Sequence, residues 1–521
     1  MTDEHPLRAD LAELRRRRAL TEDAARPDAV ERRHGAGGRT ARENVEDLVD
    51  PGSFVEYGRF AVAPQRMRRS VEDLIARTPA DGLIAGTARI NGDVFDDKHA
   101  ACAVLSYDYT VLAGTQGGLG HRKKDRLFEL IERMRLPTVF FAEGGGGRPG
   151  DTDFPGVSML DTRAFALWAR LSGVVPRVAV VKGRCFAGNA VIAGASDLIV
   201  ATRDASLGMG GPAMIAGGGL GEVAPDAVGP MSTQEPNGNV DVVVSDEADA
   251  VAAVKKIVGY FQGSTPSWEA PDQTALRTAV PERARRAYDV APVIETLADV
   301  DSVTFLRPRF AREMVTALAR IEGRAVGVIA NDTRFTAGAI TAAASDKAAR
   351  FLQLCDAFGL PVVSLIDCPG YMVGPAAEAE SLVRRASRML VAGAALRVPM
   401  VAVILRRGYG LGAQAMAGGS LHEPLLTVAW PGAHLGPMGL EGAVRLGMRK
   451  ELEAIPDEQD REERVRVATA AAQDNAAALN AAMLFEIDDV IDPAETRAVV
   501  AATFAATKKP APMGSRFIDT W

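Results

Sequence analysis

Two glycine-containing segments have the composition of turns that leave backbone amides exposed. GRCFAGNA begins at Gly183 and follows the β-branched run VPRVAVVKG, and RGYGLGAQA begins at Arg407 and follows VPMVAVILRRG. A buried strand that turns on glycines into a helix leaves N–H groups at the helix start, where they can bind an anion. Tight helix–strand packing without a ligand is the alternative for either turn taken alone. The candidate donors are the amides of Ala187 and Gly188 in the first segment and of Leu411 and Gly412 in the second.

A pair of such amides suits the stabilisation of a negatively charged oxygen. Two N–H groups that point at a carbonyl oxygen stabilise the charge that develops as the carbonyl becomes an enolate, and each preorganised donor contributes about 3–4 kcal/mol. Glycine is favoured at such a turn because a side chain would block the approach of the oxygen to the backbone. Two matched turns therefore predict two matched oxyanion sites.

The sequence contains the same succession of segments twice. LPTVFFAEG at Leu136 returns as LPVVSLIDCPG at Leu360, an offset of 224 residues, and the β-branched runs before the two glycine turns differ by 223. ASLGMGGP at Ala205 returns as AHLGPMGL at Ala433, and ARINGD, upstream of both, returns as ARIEGR. Matches in the same order with nearly constant offsets indicate a duplicated domain.

Each half alternates short apolar runs with amphipathic helical stretches, such as DRLFELIERMR before Leu136. This alternation predicts βαβ units, parallel sheets and an α/β fold. We expect one domain over residues 1–265 and another over 280–521, joined within the Pro-, Ser- and charge-rich stretch 261–290. Residues 217–241 are too rich in Gly and Pro for a helix and are predicted to form a functional loop or wall.

The composition argues against several classes of function. The 521 residues are 47% hydrophobic and 24% charged with a net charge of −7, which gives no indication of binding to nucleic acid or to a membrane. No apolar run approaches the roughly 20 residues that span a bilayer, and the N-terminal segment is unlike a secretory signal. The four cysteines are far apart with no CxxC pair, so we expect no disulfide framework, no metal site, and a cytoplasmic protein with reduced thiols.

Four segments carry a resemblance to a known family. ARENVEDLVDPGSFVEYG, DGLIAGTARING, SDKAARFLQLCDAFGLPVVSLIDCPGYMVG and VAWPGAHLGPMGLEGAV resemble, in this order, blocks of the carboxyltransferase (β) subunits of biotin-dependent acyl-CoA carboxylases. The resemblance extends from about Ala41 to the C-terminus. It implies an α/β fold of tandem duplicated crotonase-like domains, each a ββα superhelix, with acyl-CoA on the N-terminal half and biotin on the C-terminal half.

The resemblance also implies a reaction. This family moves a carboxyl group from N-carboxybiotin to the α-carbon of an acyl-CoA, and the two halves of one active site come from different subunits of a ring-shaped hexamer. Carried over to this sequence, Ala187 and Gly188 hold the thioester oxygen of the enolate, and Leu411 and Gly412 hold the ureido oxygen of biotin. The ureido nitrogen takes the α-proton and the enolate attacks CO2, so no protein base is required.

The reaction requires components that the sequence lacks. It contains no obvious Met-Lys-Met biotin attachment site and no Gly-rich ATP-binding segment. We therefore expect a biotin carboxylase and a biotin carrier subunit as partners, together with assembly into a homo-oligomer.

Three segments depart from the family pattern. The turn after the first-half strand reads EGGGGR over Glu143–Arg148, and its extra glycines, among them Gly144 and Gly145, predict a wider or more mobile turn near the acyl chain. Gln414 occupies the position of the family's determinant of acyl size, where small or apolar residues are common. GGLGHRKKDRLF replaces GGSLGETHGQKI, which puts basic residues at a helix start.

Basic side chains at a helix start can contact the CoA phosphates or simply face solvent. The residues in question are Arg122, Lys123, Lys124 and Arg126. Three glycines precede these residues, Gly117, Gly118 and Gly120. They either allow the backbone to approach CoA or only close a turn. His121 and His434 are interpreted as structural.

The remaining candidates also have a structural alternative. Gly210 and Gly211 lie at the position of the acyl pocket, where core packing of Met209 is the other explanation. Asp367 and Tyr371 either line the biotin side or serve the chemistry of their Pro-Gly turn.

Other functions remain open at this point. A decarboxylase subunit could use the same two sites in the reverse direction, and a non-catalytic assembly subunit would explain the EGGGGR turn and Gln414. A hydratase or isomerase is disfavoured because the pair of acids such chemistry needs has no clear counterpart.

Overall fold

The computed structural model describes residues 8–148, 150–153, 160–283, 286–507 and 516–521. The chain divides into two compact units, of which unit 1 ends at Gly263 and unit 2 extends from Ser264 to Asp519. This boundary falls inside the predicted junction, of which residues 284–285 lie outside the described parts. Residues 266–279, which the sequence left between the two predicted domains, group with unit 2, as do 264 and 265 from the end of the first predicted domain.

Unit 1 is built on a mixed sheet in the order β1-β2-β3-β4-β5-β7-β9, with β6 and β8 as a separate parallel pair. The first three strands are antiparallel neighbours, and the sheet continues from β3 to β9 in parallel. The strands are β1 Val55–Glu56, β2 Leu83–Arg89, β3 Ala101–Tyr107, β4 Thr138–Phe141, β5 Arg177–Val181, β6 Arg184–Phe186, β7 Leu198–Thr202, β8 Ser206–Gly208 and β9 Val242–Val244.

The helices of unit 1 pack on this sheet through apolar faces. In α6 the buried Leu127, Phe128 and Ile131 recur at helical spacing, which fixes the face that meets the sheet. The helices are α1 Ala9–Ala19, α2 Pro27–Gly35, α3 Ala41–Leu48, α4 Val71–Arg77, α5 Asp97–Ala100, α6 Gly118–Met134, α7 Ala164–Arg170, α8 Gly188–Gly194, α9 Pro212–Gly217, α10 Met231–Gln234 and α11 Glu247–Gly259, with short 3₁₀ turns at Asp23–Ala25, Pro79–Gly82, Leu112–Gly114 and Pro225–Ala227.

Unit 2 repeats the plan with the order β10-β11-β12-β13-β14-β15-β17, and β16 pairs with the end of β14. The hairpins β10–β11 and β11–β12 are antiparallel, and β12 to β15 run parallel. The strands are β10 Thr304–Leu306, β11 Met314–Ile321, β12 Arg324–Asn331, β13 Val362–Cys368, β14 Met400–Tyr409, β15 Leu426–Ala429, β16 His434–Gly436 and β17 Asp489–Val490.

The core of unit 2 lies where helices cover the parallel strands, with Val363, Val401 and Val403 fully buried. The helices are α12 Ala291–Leu297, α13 Ala342–Phe358, α14 Pro375–Ala379, α15 Leu382–Ala394, α16 Gly410–Met416, α17 Leu440–Gly447, α18 Arg449–Glu453, α19 Glu458–Asn475, α20 Ala478–Met483 and α21 Thr496–Ala505, with 3₁₀ turns at Gln273–Thr278, Thr336–Gly338 and Pro493–Glu495.

The predicted duplication is present in the backbone of the two units. Helices α6 and α13 both have 17 residues and start 224 residues apart. The bridge between Gln116 and Gly147 returns, at the same offset, between Ile340 and Tyr371. At the offset of 224, Ala187 corresponds to Leu411 and Gly188 to Gly412, and α16 begins two residues earlier in its turn than α8.

Two expectations about local structure need correction. Each sheet is mixed rather than wholly parallel, because β2 and β3, and likewise β11 and β12, follow each other in the chain without a crossover and pair antiparallel. The stretch 217–241 contains the short helix α10, since Met231–Gln234 is free of Gly and Pro. None of the helices in the described parts of the chain is long and apolar enough to cross a membrane.

Candidate functional site

The turn of unit 1 begins where β5 ends. Gly183 has a φ of +61°, and a side chain there would collide with Oε1 of Glu143. Pairing of β6 with β8 then brings the amide of Ala187 to the carbonyl oxygen of Gly208, at 3.2 Å. Ala187 has φ 52° and ψ −124°, a conformation that residues with a Cβ rarely adopt, and this bend starts α8.

Gly188 carries the available donor of this turn. Within the described residues nothing accepts a hydrogen bond from its amide, and the residue is partly exposed. A Cβ on Gly188 would lie 2.9 Å from Cζ of Phe165 and 3.0 Å from Nε2 of Gln116, so a side chain would have to displace them. Of the two donors expected here, Ala187 gives its N–H to the protein, whereas Gly188 keeps its N–H available.

The EGGGGR turn is held against this helix start by the backbone. The amide of Gly144 donates to the carbonyl oxygen of Arg184 at 2.6 Å, and the amide of Gln116 donates to that of Gly146 at 2.7 Å. Gly146 has a φ of +88°, and a Cβ there would lie 2.7 Å from Cβ of Ala187. Positive φ and close contacts therefore require glycine at Gly144 and Gly146. The amide of Gly144 already donates to Arg184, and a Cβ on Gly145 would make only an ordinary contact.

Carboxylates already occupy the start of α6, where phosphate binding was expected. The amide of Gly118 donates to Oδ2 of Asp151 and that of Gly120 to Oδ2 of Asp81, both at 2.8 Å. Arg148 binds Asp81 at 2.5 Å, and a side chain on Gly117 would collide with this guanidinium. These three glycines therefore serve an internal cap and ion pair, which corrects the expectation that this helix start binds CoA.

The four basic residues predicted near the start of α6 divide into two kinds. Arg122 and Arg126 are exposed. Lys123 donates through Nζ to the carbonyl oxygens of Ala80, at 3.0 Å, and Leu83. Lys124 is fully buried and donates to Oε1 of Gln116 at 2.7 Å. Neither lysine presents its ammonium group to solvent, so the prediction that they contact phosphates is wrong.

Burial changes the acidity of these groups. It lowers the pKa of Lys123 to about 8 and that of Lys124 to about 7, because desolvation disfavours the charged amine. Burial also raises the pKa of Glu143 to about 7, although Arg33 opposes the shift through two hydrogen bonds of 2.8 Å. Burial is therefore the largest influence on the pKa of all three groups.

Sequence reasoning missed several residues around Gly188. Gln116, Asn189 and Glu143 are buried beside it, and Arg33 reaches Glu143 across 110 positions of sequence. The polar residues Gln116 and Asn189 sit directly next to glycine turns, and this signal could have identified them. Nothing local in the sequence pairs Arg33 with Glu143.

The segment after β8 presents an apolar surface. A Cβ on Gly211 would lie 3.1 Å from Cδ2 of Phe186, whereas Gly210 has more space. Met209 is 72% exposed and Met214 67% exposed, so packing of Met209 into the core is excluded. Flexible, exposed methionines are typical of surfaces that bind apolar groups of variable shape.

In unit 2, β14 runs directly into α16. Gly410 has a φ of +59°, and a Cβ there would lie 2.9 Å from the carbonyl oxygen of Pro437. Within the described residues nothing accepts a hydrogen bond from the amides of Leu411 or Gly412. Gly412 packs on the turn after β13, where a Cβ would lie 2.8 Å from Sγ of Cys368. Both predicted donors of this turn therefore lack an acceptor among the described residues, and Leu411 is exposed whereas Gly412 is buried.

The side chains predicted beside this turn differ in their environment. Asp367 is fully buried and pairs with Nε of Arg406 at 2.9 Å and Nε of Arg407 at 2.5 Å. It therefore holds β13 to β14, and a role for Asp367 on the biotin side stays a prediction. The hydroxyl of Tyr371 donates to the carbonyl oxygen of Ala386 at 3.4 Å, and burial raises its pKa. Gln414 is exposed on α16.

The two helix starts share one chemical capacity. Within the described residues, each has at least one backbone N–H group with no acceptor. Each also has a glycine, Gly188 or Gly412, at which a side chain would displace neighbouring atoms. The partial positive charge of a helix N-terminus adds to such donors, so each turn can hold an oxygen that carries negative charge.

Comparisons with known proteins identify the family of this chain. The chain matches the carboxyl transferase domain family over residues 32–515. It is 32% identical over 519 residues to the methylmalonyl-CoA carboxyltransferase 12S subunit of Propionibacterium freudenreichii subsp. shermanii, covering 95% of this chain and 94% of that one. It is 32% identical over 461 residues to the biotin-dependent long chain acyl-coenzyme A carboxylase beta4 subunit of Mycobacterium tuberculosis, covering 86% and 84%.

Two solved structures are also similar. A single-chain, multi-domain long-chain acyl-CoA carboxylase matches 96% of this chain with a TM-score of 0.91 and 56% identity, and this chain spans 49% of that longer one. The transcarboxylase 12S hexamer with methylmalonyl-CoA and methylmalonic acid bound matches with a TM-score of 0.84 and 29% identity, covering 99% of both chains.

The fold is that of a duplicated α/β protein in which a strand turns on glycines into a helix once in each unit. The chain belongs to the carboxyl transferase domain family, and its two units have the duplicated crotonase-like fold predicted from the sequence.

The buried ammonium group of Lys124 predicts a pH dependence of stability. In the unfolded chain the amine keeps its ordinary pKa of 10.5, so between pH 7 and 10 the unfolded chain binds a proton that the folded protein releases. The free energy of unfolding therefore rises with pH in this window. We expect Lys124→Met to reduce the rise, measured by denaturant midpoints from pH 7 to 10, whereas the exposed Lys98→Met keeps it. Equal pH profiles for wild type and Lys124→Met would contradict this assignment.

Proposed function

We propose that this chain is the carboxyltransferase component of a biotin-dependent acyl-CoA carboxylase, and that its substrates are long-chain acyl-CoAs. Membership of the carboxyl transferase family and the names of the relatives support the reaction. The 56% identity to the single-chain long-chain acyl-CoA carboxylase, against 29–32% for the other proteins compared, supports the substrate class. The observation that carries the proposal is the unpaired amide of Gly188 at the start of α8.

In this proposal unit 1 binds the acyl-CoA. The amide of Gly188 holds the thioester oxygen and stabilises the negative charge that develops when the α-carbon loses its proton. The exposed Met209 and Met214, together with Gly210 and Gly211, provide an adaptable apolar surface for the acyl chain. Of the four basic residues near the start of α6, Arg122 and Arg126 are exposed and would meet the CoA phosphates.

Unit 2 offers a site that fits the ureido oxygen of biotin. Within the described residues the amides of Leu411 and Gly412 have no acceptor, and the missing Cβ of Gly412 lets α16 pack closely on Cys368 and Gly370. Carboxybiotin, when bound, supplies the carboxyl group and a basic ureido nitrogen. In this proposal the amides of Leu411 and Gly412 bind the ureido oxygen. Glycine at 412 leaves no side chain beside that oxygen, and Gln414 lies on the same helix.

The proposal includes partners and assembly. Biotin would be carried by a separate carrier protein or domain and carboxylated by a biotin carboxylase. We propose a homo-hexamer, supported by the hexameric transcarboxylase 12S structure, and a cytoplasmic location.

A carboxylation assay tests the function directly. The chain is mixed with a carboxylated biotin carrier and with acyl-CoAs from acetyl to palmitoyl, and the carboxylated product is measured. We expect transfer, with kcat/KM highest for the long chains. Transfer only from a carboxylated acyl-CoA to biotin would indicate a decarboxylase, and acyl-CoA binding without transfer in either direction would indicate a non-catalytic subunit.

Substitution of Gly188 tests the acyl-side site. We expect Gly188→Val to lower carboxyl transfer at least about a hundredfold, because its side chain occupies the space of the oxygen and displaces Phe165 and Gln116. Gly194→Val is the matched control in the same helix, since a Cβ there contacts nothing within 4 Å. Folding is checked by circular dichroism and by retained turnover of carboxybiotin without acyl-CoA. Near-wild-type transfer in a folded Gly188→Val protein would exclude this site.

Gln414 tests the determinant of acyl size. Its side chain is exposed on α16, three positions after Leu411, so an apolar replacement changes the surface without disturbing the core. We expect Gln414→Ile to shift the preference for acyl chain length with little loss of the highest rate, measured as kcat/KM across the acyl-CoA series. An unchanged profile would place the specificity determinant elsewhere.

A further inference from the structure

A hydrogen-bonded chain of buried polar side chains begins at Lys124 and ends around the start of α8. Lys124 is 0% exposed, and its Nζ donates to Oε1 of Gln116 at 2.7 Å. The rings of Tyr107 and Phe165 each lie 5.7 Å from Nζ. In the parts of the chain that the structure describes, no carboxylate lies within ion-pairing distance of this ammonium group.

The direction of the hydrogen bonds in this chain is determined at both ends. Nε2 of Gln116 donates to Oδ1 of Asn189, and Nδ2 of Asn189 donates to the carbonyl oxygens of Gly114, at 3.2 Å, and Glu143, at 2.9 Å. Nζ of Lys124 is the donor at one end, and at the other end the backbone carbonyl oxygens of Gly114 and Glu143 can only accept. The two amide groups between them therefore have one consistent orientation.

The hydrogen-bonded side chains and Phe165 contact Gly188 from two sides. Nε2 of Gln116 lies 3.0 Å from the position that a Cβ of Gly188 would take, and Cζ of Phe165 lies 2.9 Å from it. Asn189 is the next residue of α8 and ties the helix start to the carbonyl of Glu143, the first residue of the EGGGGR turn. The position of the Gly188 amide therefore depends on these side chains.

Unit 2 shows that the fold itself does not require the polar chain. At the offset of 224 residues, Lys124, Gln116 and Asn189 correspond to Ala348, Ile340 and Ala413. The backbone frame is nevertheless the same. The amide of Gln116 donates to the carbonyl oxygen of Gly146 at 2.7 Å, and that of Ile340 donates to Gly370 at 3.1 Å.

The neighbouring lysine behaves differently and gives a contrast within the same helix. Lys123 corresponds to Lys347, and both donate to backbone carbonyl oxygens, Lys347 to those of Arg307 at 2.9 Å and Phe310 at 2.8 Å. A lysine at this position is therefore part of the duplicated scaffold. Lys124 belongs to unit 1 alone.

A buried ammonium group without an ion-pair partner lowers stability, because desolvation of the charge is not offset by a carboxylate. Stability therefore does not explain why unit 1 has this chain. We infer that Lys124, Gln116 and Asn189 form a positioning chain that holds the amide of Gly188 in place for the thioester oxygen of the acyl-CoA. This inference rests on the proposed function of Gly188.

Lys124 acts in this arrangement through Gln116 and does not touch the substrate. Its ammonium group orients the carboxamide of Gln116, which fixes Asn189 and the first turn of α8. The result is a rigid donor whose geometry is set before the acyl-CoA binds.

The test uses two variants, Lys124→Met and the double variant Lys124→Met/Gln116→Leu. The double variant reproduces the apolar character of Ala348 and Ile340 in unit 2, and Lys98→Met is the matched control. Three quantities are measured for each protein: kcat and KM for acyl-CoA carboxylation, turnover of carboxybiotin without acyl-CoA, and hydrogen–deuterium exchange of the peptide that contains Gly188. Thermal unfolding checks the fold. Exchange reports local opening and needs no turnover.

We expect both Lys124 variants to fold and to keep the carboxybiotin reaction of unit 2. Their kcat for acyl-CoA falls about tenfold or more while KM changes less than about threefold, and exchange around Gly188 becomes faster. Lys98→Met behaves as wild type.

Two results would overturn the positioning chain. One is wild-type kcat and exchange in a folded double variant. The other is a loss of acyl-CoA activity matched by equal losses of carboxybiotin turnover and melting temperature, which would mean a purely structural role. If the wild-type protein transfers no carboxyl group, the proposed function fails. Faster exchange around Gly188 in the variants would then still support the positioning chain, and unchanged exchange would contradict it.

Discussion

Keeping a backbone amide without a protein partner is the constraint around which unit 1 is organised. An unpaired N–H at a helix start has a free-energy cost in the folded protein, which water or a ligand must offset. The strained φ of Ala187 directs α8 so that its first amide is partly exposed, while the amide of Ala187 itself bonds to Gly208. The surrounding glycines keep side chains away from that amide.

Duplication supplies this arrangement twice, with different support beneath it. Under the turn of unit 2, the carboxylate of Asp367 is enclosed between Arg406 and Arg407, and breaking such a buried pair costs about 3–5 kcal/mol. At the equivalent position in unit 1, Glu143 pairs with Arg33, which comes from α2. The two units therefore keep the backbone of the turn while they change the charges that hold it. This division suits a protein in which each turn holds a different oxygen.

The sequence was informative about backbone and less so about side-chain direction. The repeated segments predicted the duplication, and the glycine turns located the starts of α8 and α16, because turn chemistry and buried β-branched strands are local signals. The basic cluster of α6 was misread because composition was considered without helical face. Lys124 lies on the same face as Leu127, Phe128 and Ile131, so the spacing already indicated burial. The bond from Ala187 to Gly208 depends on the pairing of β6 with β8, which no local pattern specifies.

The measurement that most directly tests the account is the structure of this protein with an acyl-CoA bound. The central claim is that the thioester oxygen binds at the start of α8. The account predicts that this oxygen lies about 2.7–3.1 Å from the backbone nitrogen of Gly188. A bound acyl-CoA whose thioester oxygen contacts other groups, with the amide of Gly188 hydrogen-bonded inside the protein, would contradict it.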